Sequence, residues 1–437
     1  MEIFMKITGI IAEYNPFHNG HAYQIEKIKK ETDADYVIVA MSGDFVQRGT
    51  PAIVDKYVRT KMALANGADL VFELPTVLAT ASAELFAMGG VTLLDKTNCV
   101  STLCFGAETA DGELFSAIAN LLVTEPDSYR TSLKAYIKDG LSFPVARSRA
   151  ILDYATAHPD FFPETSSGST PFQDATESLE QSLFQQITDV CQKPNNILAI
   201  EYQKALTKRN SPMNCAILSR EGSGYHDKKL SSMSSATAIR SAILSGQDFS
   251  HAMPEPAYAI LMETLSKCAP VCANDFSMLL RYLLLTHAKE GFQTYGDCSE
   301  FLSNRILKTA DSFEDISSFC EQLKTKEITY TRISRILNHI LLGITKEDYQ
   351  RVASLDFIPY LRILGFRKES SALLSELKKN ADIPLISKPA DAASLLSKDA
   401  YMLFEKDVFA ASLYESVSAQ KAHTKIRNEF RREIVLL

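Results

Sequence analysis

The first hundred residues alternate short apolar runs with helical patterns, and this alternation constrains the fold more than any other feature of the sequence. Four runs occur, at residues 7–12 (ITGIIA), 36–41 (YVIVAM), 69–74 (DLVFEL) and 100–105 (VSTLCF). Each run is short and mostly apolar on both faces, as expected of a strand buried in a parallel sheet. Because helical patterns separate the runs, the sequence predicts an α/β fold with helices on both faces of the sheet.

A fifth predicted strand and a change in the spacing of apolar residues divide the chain. Residues 212–219 (PMNCAILS) predict a fifth strand, and a polar stretch around 160–185 indicates a surface insertion before it. Beyond residue 256 the apolar residues follow helical spacing, except for a mixed stretch at 382–395 that is compatible with a small strand. We therefore predict a Rossmann-like parallel five-stranded sheet over residues 1–250, followed by a mainly helical domain over residues 251–437.

Composition argues against membrane-spanning and disulfide-stabilised proteins. Charged residues make up 23% of the 437 positions, and the net charge is −7. No apolar run reaches the roughly 20 residues of a membrane helix, and the acidic N-terminal stretch does not resemble a signal peptide. The eight cysteines form no C-x-x-C pair, which predicts reduced thiols and no zinc site. These features predict a cytoplasmic protein.

The sequence HNGH, residues 18–21, stands where the first strand leads into a helix. A helix N-terminus after a parallel strand favours an anion, because its backbone N–H groups and its dipole point outward. We expect Gly20 to let a phosphate approach the backbone. We expect His18 and His21 to donate hydrogen bonds to phosphate oxygens as pyrophosphate departs. The alternative is a helix-cap histidine beside an exposed one, but the strand–helix context favours a nucleotide site.

Two sequence motifs resemble the signatures of one enzyme superfamily. HNGH resembles the H-x-G-H signature of the nucleotidyltransferases, and SSATAIR at residues 234–240 is similar to their I-S-S-T-x-x-R signature. Ser235, Thr237 and Arg240 match the second signature, whereas Ser234 and Ala236 depart from it. The resemblance implies that Arg240 reaches the β- and γ-phosphates of ATP, with Ser235 and Thr237 binding the same anions.

Longer blocks resemble the bacterial tRNA(Met) cytidine acetate ligases over nearly the whole chain. They include GIIAEYNPFHNGH, MSGDFVQRGTPAIVDKYVRTKMAL, GADLVFELP, FGAE, PNNILAIEY and YTRISRILNHILLGI. The resemblance implies ATP-dependent activation of acetate to acetyl-adenylate, followed by acetyl transfer to N4 of the wobble cytidine of elongator tRNA(Met). It implies ATP, acetate and this tRNA as substrates, with Mg²⁺ on the triphosphate. It implies no tightly bound organic cofactor, no membrane and no obligate protein partner.

The same resemblance implies the residues of the site. His18 and His21 are the expected catalytic residues. The expected ATP contacts are Ile11, Ala12, Glu13, Tyr14, Asn15, Pro16, Phe17, His18, Asn19, Gly20, His21, Ala22, Tyr23, Gln24, Gly106, Asn195, Asn196, Arg220, Ser235, Thr237 and Arg240. Without the resemblance, Gly106 is equally a turn glycine and Arg220 a surface arginine. One of Asn195 and Asn196 would then be a helix N-cap.

The end of the second strand is a candidate acetate pocket. Ser42 and Gly43 follow this strand, at the carboxyl edge where such sheets bind ligands. The next helix begins with three cations, Lys56, Arg59 and Lys61. For each of these cations taken alone, a solvated surface position is a more frequent role than a place in the site.

Cations in the C-terminal half are candidate contacts to tRNA phosphates. Arg332, Arg335 and His339 fall on one face of a predicted helix, because they are three and four residues apart. Arg367 and Lys368 add two more charges. The alternative is that these side chains only form solvated helix faces.

Two other functions stay open from the sequence. An adenylyltransferase acting on a small phosphate-ester cofactor precursor would use the same ATP site, but it would not need the long helical half. An RNA-binding module without catalysis would not need His18, His21 and Arg240 together.

Overall fold

The computed structural model describes residues 5–109, 111–141, 143–158, 161, 177–219 and 232–437. The chain forms two compact units, one made of Met1–Leu103 with Glu221–Leu437 and the other of Cys104–Arg220. The boundary predicted near residue 250 does not coincide with this division, because strands near the C-terminus join the sheet of the first unit. The predicted insertion at 160–185 falls largely outside the described residues, and its last part belongs to a helix.

The strands and helices are as follows. The strands are β1 (Ile7–Ala12), β2 (Tyr36–Ser42), β3 (Phe45–Val46), β4 (Thr50–Pro51), β5 (Leu70–Leu74), β6 (Thr102–Ala107), β7 (Asn214–Ser219), β8 (Leu361–Phe366), β9 (Leu385–Ile386) and β10 (Val435–Leu436). The helices are α1 (Asn19–Glu31), α2 (Lys56–Ala65), α3 (Thr76–Ala79), α4 (Ala83–Asp95), α5 (Gly112–Thr124), α6 (Asp127–Lys138), α7 (Phe143–Ala157), α8 (Glu177–Gln192), α9 (Pro194–Arg209), α10 (Ala236–Ser245), α11 (Glu255–Leu265), α12 (Ser277–Thr286), α13 (Glu300–Thr309), α14 (Ile316–Leu323), α15 (Tyr330–Leu342), α16 (Lys346–Ser354), α17 (Ser371–Asn380), α18 (Ala392–Leu395) and α19 (Lys398–Ala422).

A mostly parallel sheet forms the centre of the first unit. Its strands lie in the order β10-β8-β5-β2-β1, with β9 also beside β8. β1, β2 and β5 are mutually parallel, and β5 is buried along its whole length, as its apolar sequence predicts. The strands expected at residues 7–12, 36–41 and 69–74 are confirmed, as is the α/β class.

The C-terminal part adds strands to the sheet, although most of its sequence has helical periodicity. β8 pairs antiparallel with β5, while β9 and β10 run parallel to β8. The sequence analysis therefore missed a central strand and expected too small a sheet. It missed β8 because the run includes Arg362 and pairs with a strand from a distant part of the chain. The small strand compatible with 382–395 is confirmed as β9.

The second unit combines two strands with a layer of helices. β6 and β7 are neighbours in the sheet order and confirm the strands expected at 100–105 and 212–219. Phe105 of β6 packs on Tyr202 of α9, with 5.2 Å between the ring centroids. Within the described ranges, no helix of either unit has the length and apolar character needed to cross a membrane. All eight cysteines are free thiols.

A buried cluster of four charged side chains joins the N-terminal and C-terminal parts of the first unit. The ammonium of Lys56 lies 2.8 Å from a carboxylate oxygen of Glu73 and 2.7 Å from one of Glu429. Arg362 Nη1 lies 2.8 Å from Glu73, and Arg362 Nη2 contacts Glu429. Each cation bridges two carboxylates, so the four charges balance away from water. The expectation that Lys56 is a surface residue is wrong, because its side chain is fully buried.

We predict that Glu429→Gln destabilises the folded protein by about 3–5 kcal/mol near neutral pH, because it leaves two buried cations sharing the single carboxylate of Glu73. Burial opposes the ionisation of Glu429, but the charges of Lys56 and Arg362 outweigh it and lower the pKa from 4.5 to about 2. The stabilisation is therefore present above pH 4.5 and is lost as the pH falls towards about 2.

Urea unfolding midpoints from neutral to acid pH measure this effect. Glu26→Gln is the control, because Glu26 forms an exposed pair with Lys30 and should contribute little. The urea midpoints of the wild type and Glu429→Gln, plotted against pH, should converge below pH 4.5. A constant difference down to the lowest pH would contradict the assignment.

Candidate nucleotide-binding site

The turn between β1 and α1 is held by hydrogen bonds from two other parts of the first unit. Tyr14 has a left-handed backbone with φ of 49°, and a cis peptide bond joins Asn15 to Pro16. The side-chain oxygen of Asn15 accepts a hydrogen bond from Ile53 N at 2.9 Å. Its backbone carbonyl accepts one from Arg240 Nη1 at 2.6 Å. The turn is therefore fixed before any ligand arrives.

His18 and His21 cap the N-terminus of α1 reciprocally. His18 Nδ1 accepts a hydrogen bond from Gly20 N at 3.1 Å, and His21 Nδ1 accepts one from His18 N at 3.2 Å. The two imidazoles stack, with centroids 3.7 Å apart and an angle of 24° between the planes. A neutral imidazole that accepts on Nδ1 carries its proton on Nε2. These bonds assign that tautomer, so both rings have an Nε2–H group suited to an anion.

Two aromatic side chains hold the ring of His21. Tyr14 meets it edge to face at a centroid distance of 4.7 Å, and Phe17 lies 5.4 Å away. Tyr14 and Phe17 are buried and pack on each other at 4.9 Å. Since aromatic neighbours restrict a ring from the side, they orient the imidazole. This explains the large aromatic residues that precede the HNGH motif.

Gly20 is required by the ring of His18. A Cβ atom at this position would lie 2.9 Å from His18 Cε1 and 3.1 Å from His18 Nδ1. The sequence analysis expected Gly20 to admit a phosphate to the backbone. The structure shows that the missing side chain leaves room for the His18 imidazole, and the phosphate contact of Gly20 stays a prediction.

The two sequence motifs are joined in the first unit through residues that flank them. Asn19 Nδ2 donates to the carbonyls of Ser232 and His251 at 2.8 and 2.9 Å. Arg240 bonds the carbonyl of Asn15 and also the hydroxyl of Thr237, the latter at 3.1 Å. Ser235 is the N-cap of α10. HNGH and SSATAIR, more than 200 residues apart, thus form one structural unit.

A buried arginine joins the carboxyl ends of β1 and β2. Arg59 is fully buried and donates from Nη1 to the carbonyls of Glu13 and Ser42, at 2.6 and 3.0 Å. Nη2 donates to the carbonyl of Gly43, and Nε to that of Val54. Burial lowers the pKa of Arg59, although Asp44 opposes this. The expectation of a surface Arg59 is wrong, and no local pattern distinguishes it from Lys61, which is exposed as expected.

The candidate acetate pocket begins with a buried hydroxyl. Ser42 is fully buried, and its Oγ has no hydrogen-bond partner among the described residues. A Cβ atom on Gly43 would lie 2.5 Å from Glu73 Oε1, so this glycine allows the charged cluster to approach the end of β2. An orphaned buried hydroxyl is a group that a polar ligand can satisfy.

In the second unit, Asn195 and Asn196 bind the carboxylate of Glu108. Asn195 Nδ2 donates to Glu108 at 2.6 Å, and Asn196 N donates at 2.9 Å. The Asn196 side-chain oxygen accepts from Glu108 N and Thr109 N, so its amide is committed to the protein. The N-cap of α9 is Lys193, so the N-cap alternative for either asparagine is wrong. Asn195 is the one of the pair that is partly exposed.

The remaining predicted site residues are distributed over both units. Ile11 and Ala12 end β1, Ala22, Tyr23 and Gln24 follow in α1, and Gly106 lies in β6. Arg220 lies outside the described residues.

Only part of the predicted cationic face on α15 is accessible. Arg335 pairs with Asp297 at 3.2 Å, and its side chain is 13% exposed. His339 is fully buried, and its ring bonds the carbonyls of Gly296 and Thr80 at 3.0 and 2.9 Å. Placing His339 at an RNA-facing surface was therefore wrong, whereas a tRNA contact of Arg335 stays a prediction. Arg332 is partly exposed, as is Arg367, which pairs with Glu369, and Lys368 is exposed.

We predict that Gly20→Ala weakens ATP binding at least about tenfold, because the added methyl group displaces the His18 ring and the donor it carries. The melting temperature should stay within about 3 °C of the wild type. Isothermal titration with a nonhydrolysable ATP analogue measures the binding. Gly112→Ala is the control, since its Cβ would make only an ordinary contact of 3.4 Å with Ile217. Unchanged affinity in Gly20→Ala would remove His18 from the site.

Comparison with known proteins identifies the family of this chain. The family model described as HIGH Nucleotidyl Transferase matches residues 5–429. The tRNA(Met) cytidine acetate ligase of Thermosipho melanesiensis is 38% identical over 448 residues, which cover 99% of each chain. That of Acetivibrio thermocellus is 38% identical over 441 residues, covering 99% of this chain and 100% of the relative.

Two solved structures of TmcAL from Thermotoga maritima have the same fold. The apo form I structure has a TM-score of 0.87 at 30% identity, and covers 99% of this chain and 100% of its own. The form II structure, bound with alpha-thio ATP, has a TM-score of 0.85 at 29% identity with the same coverage. The chain therefore belongs to the HIGH nucleotidyl transferase family and, within it, to the tRNA(Met) cytidine acetate ligases.

Proposed function

We propose that this chain joins acetate to a cytidine of tRNA(Met) in an ATP-dependent reaction with an acetyl-adenylate intermediate. The observation that carries the proposal is the His18–His21 pair, stacked at the N-terminus of α1 beside the Arg240 contact. A relative of 29% identity binds an ATP analogue on the same fold, and close relatives carry the name of this activity. The acceptor atom proposed is N4 of the wobble cytidine of the elongator tRNA.

In the first half-reaction, an acetate oxygen attacks the α-phosphorus of ATP. The bond from that phosphorus to the bridging oxygen breaks, and its electron pair leaves with pyrophosphate. The Nε2–H groups of His18 and His21 stabilise the charge that develops on the phosphate oxygens. The fixed Nδ1 bonds hold both rings in the donating tautomer. Mg²⁺ is proposed to accompany the triphosphate, held mainly by phosphate oxygens and water.

Acetate is proposed to lie at the end of β2. The buried Ser42 hydroxyl, which has no partner among the described residues, would donate to the carboxylate. The absence of a side chain on Gly43 keeps the neighbouring backbone close to the charged cluster. For the nucleotide, Asn195 is a better candidate than Asn196, since Asn195 is partly exposed and Asn196 is fully buried. Gly106 and Arg220 stay predicted contacts.

In the second half-reaction, the N4 amine attacks the carbonyl carbon of acetyl-adenylate, and AMP leaves. This amine is weakly nucleophilic, so the activated acyl group is needed. The base must leave the anticodon stack to reach it. Arg332, Arg367 and Lys368 are proposed to bind tRNA phosphates, because these cations are at least partly exposed. The substrate places the proposed activity in the cytoplasm.

The function is tested by incubating the protein with ATP, labelled acetate and tRNA(Met). Digestion of the tRNA should release labelled N4-acetylcytidine, and omission of ATP should prevent it. ATP–pyrophosphate exchange that depends on acetate separates this activity from transfer of AMP to a phosphate ester. Exchange that requires a phosphate ester and ignores acetate would refute the proposal.

We predict that His21→Ala lowers acetate-dependent ATP–pyrophosphate exchange at least about 100-fold, because one preorganised donor to the phosphates is lost. Losing its cap bond should cost only about 1 kcal/mol of stability. Exchange kinetics and thermal melting measure both effects. His287→Ala, at the C-terminal end of α12, is the matched control. Exchange at the wild-type rate in His21→Ala would exclude this residue from the first half-reaction.

We predict that Arg332→Glu lowers acetylation of tRNA at least about tenfold, because it replaces a phosphate contact with a repulsion. Acetate-dependent exchange should stay within twofold of the wild type. Lys324→Glu controls for the charge reversal, since Lys324 is exposed and pairs only locally with Glu321. Equal loss of both activities would show that Arg332 does not act through tRNA.

A further inference from the structure

The loop that connects β3 and β4 and the segment just after β4 are both bound to the turn that precedes α1. Gln47 N donates to a carboxylate oxygen of Glu13 at 3.0 Å, and Ile53 N donates to Asn15 Oδ1 at 2.9 Å. Arg48 lies between these two contacts and is partly exposed. The loop thus holds Arg48 beside the end of β1, although it comes from a different part of the sequence.

The next residue fixes the tip of this loop. Gly49 has φ of 73°, and a Cβ atom there would lie 2.3 Å from the backbone nitrogen of Arg335. Ser334 Oγ donates to the Gly49 carbonyl at 2.9 Å. The backbone that carries Arg48 is therefore held by α15 on one side and by the β1–α1 turn on the other.

Arg240 is docked on the same turn through the carbonyl of Asn15. Burial lowers the pKa of Arg240, the carboxylate of Glu13 opposes this, and the charge of Arg48 lowers the pKa further. Arg59 adds a third guanidinium at the end of β1, bonded to the Glu13 carbonyl. The carboxylates of Asp44 and Asp55 act on Arg59 as well and oppose its charge. Around Arg240, the guanidinium groups of Arg48 and Arg240 meet the carboxylate of Glu13, and this excess of positive charge favours an additional anion.

We infer that Arg48 and Arg240 together bind one oxyanion of the first half-reaction, either the acetate carboxylate or an α-phosphoryl oxygen of ATP, in place of the β- and γ-phosphates that the resemblance implies for Arg240. This inference rests on the proposed function and adds Arg48 to its binding residues. A planar guanidinium suits both anions, because its donors match carboxylate and phosphate oxygens. In the attack of acetate on the α-phosphorus, both arginines stay protonated, and the proposal requires no proton transfer.

If Arg48 and Arg240 bind the same oxyanion, the effects of substituting them should not be independent. A purely structural role for Arg48 would not produce this dependence. Arg48→Ala and Arg240→Ala should each lower the kcat/KM of acetate-dependent exchange at least about 30-fold. The kcat/KM of the double variant should be at least about tenfold higher than the product of the two single losses predicts. The reason is that both substitutions remove the same interaction. Arg48→Lys keeps the charge without the planar donor set and should recover only part of the activity.

The measurements are exchange kinetics with acetate and ATP varied separately, together with direct titration of a nonhydrolysable ATP analogue. A raised KM for acetate with unchanged analogue affinity assigns the carboxylate as the ligand. A weakened analogue affinity assigns the α-phosphoryl group. Arg130→Ala is the control, because Arg130 is exposed and pairs only with Asp127. The melting temperature of Arg48→Ala should stay within about 3 °C of the wild type, and Arg48→Gln replaces it if it does not fold.

The inference is overturned if Arg48→Ala, or Arg48→Gln in its place, leaves both KM values, the exchange rate and the analogue affinity within twofold of the wild type. It is also overturned if the loss of kcat/KM in the double variant equals the product of the losses in the two single variants. A wild-type protein without acetate-dependent exchange would refute the proposed function. In that case weaker analogue binding by the Arg48 variant would still support the oxyanion site, and unchanged binding would refute both.

Discussion

The carboxyl ends of β1 and β2 are held together by one buried guanidinium, and the geometry of the site depends on it. Arg59 donates to carbonyls that follow both strands and to one at the start of its own helix. A buried carbonyl that loses its hydrogen-bond partner costs about 1–3 kcal/mol. Because the same segments carry the HNGH turn and the Ser42–Gly43 pair, a single side chain sets their separation.

The histidine pair shows that a structural and a catalytic role can depend on each other. From the sequence, a cap and a phosphate donor were alternatives for His18. In the structure the cap bond at Nδ1 selects the tautomer whose proton is on Nε2. Tyr14 and Phe17 then orient the second ring from the side. The capping geometry thus prepares both imidazoles to donate to an anion.

The buried charged cluster explains why the C-terminal segment belongs to the same compact unit as β1. Lys56 and Glu73 come from the N-terminal part, and Arg362 and Glu429 come from the last eighty residues. Each cation contacts one carboxylate from each part, so separating the two parts would leave every charge of the cluster with only one of its two partners. The cluster lies against Gly43, so the same balance of charge borders the candidate acetate pocket.

The sequence by itself determined the parallel strands β1, β2 and β5, the nucleotide motif and the family, because these depend on local apolar patterns and contiguous blocks. Only the tertiary structure decided which charged residues are buried. Glu73 within an apolar strand was the one local sign of the cluster, whereas Arg59 and Lys61 look alike in the sequence and differ completely in burial. β8 and the position of Arg48 also emerged only in three dimensions. The physical reason is that their partners are distant in sequence, and burial and charge pairing depend on the whole surroundings of a side chain.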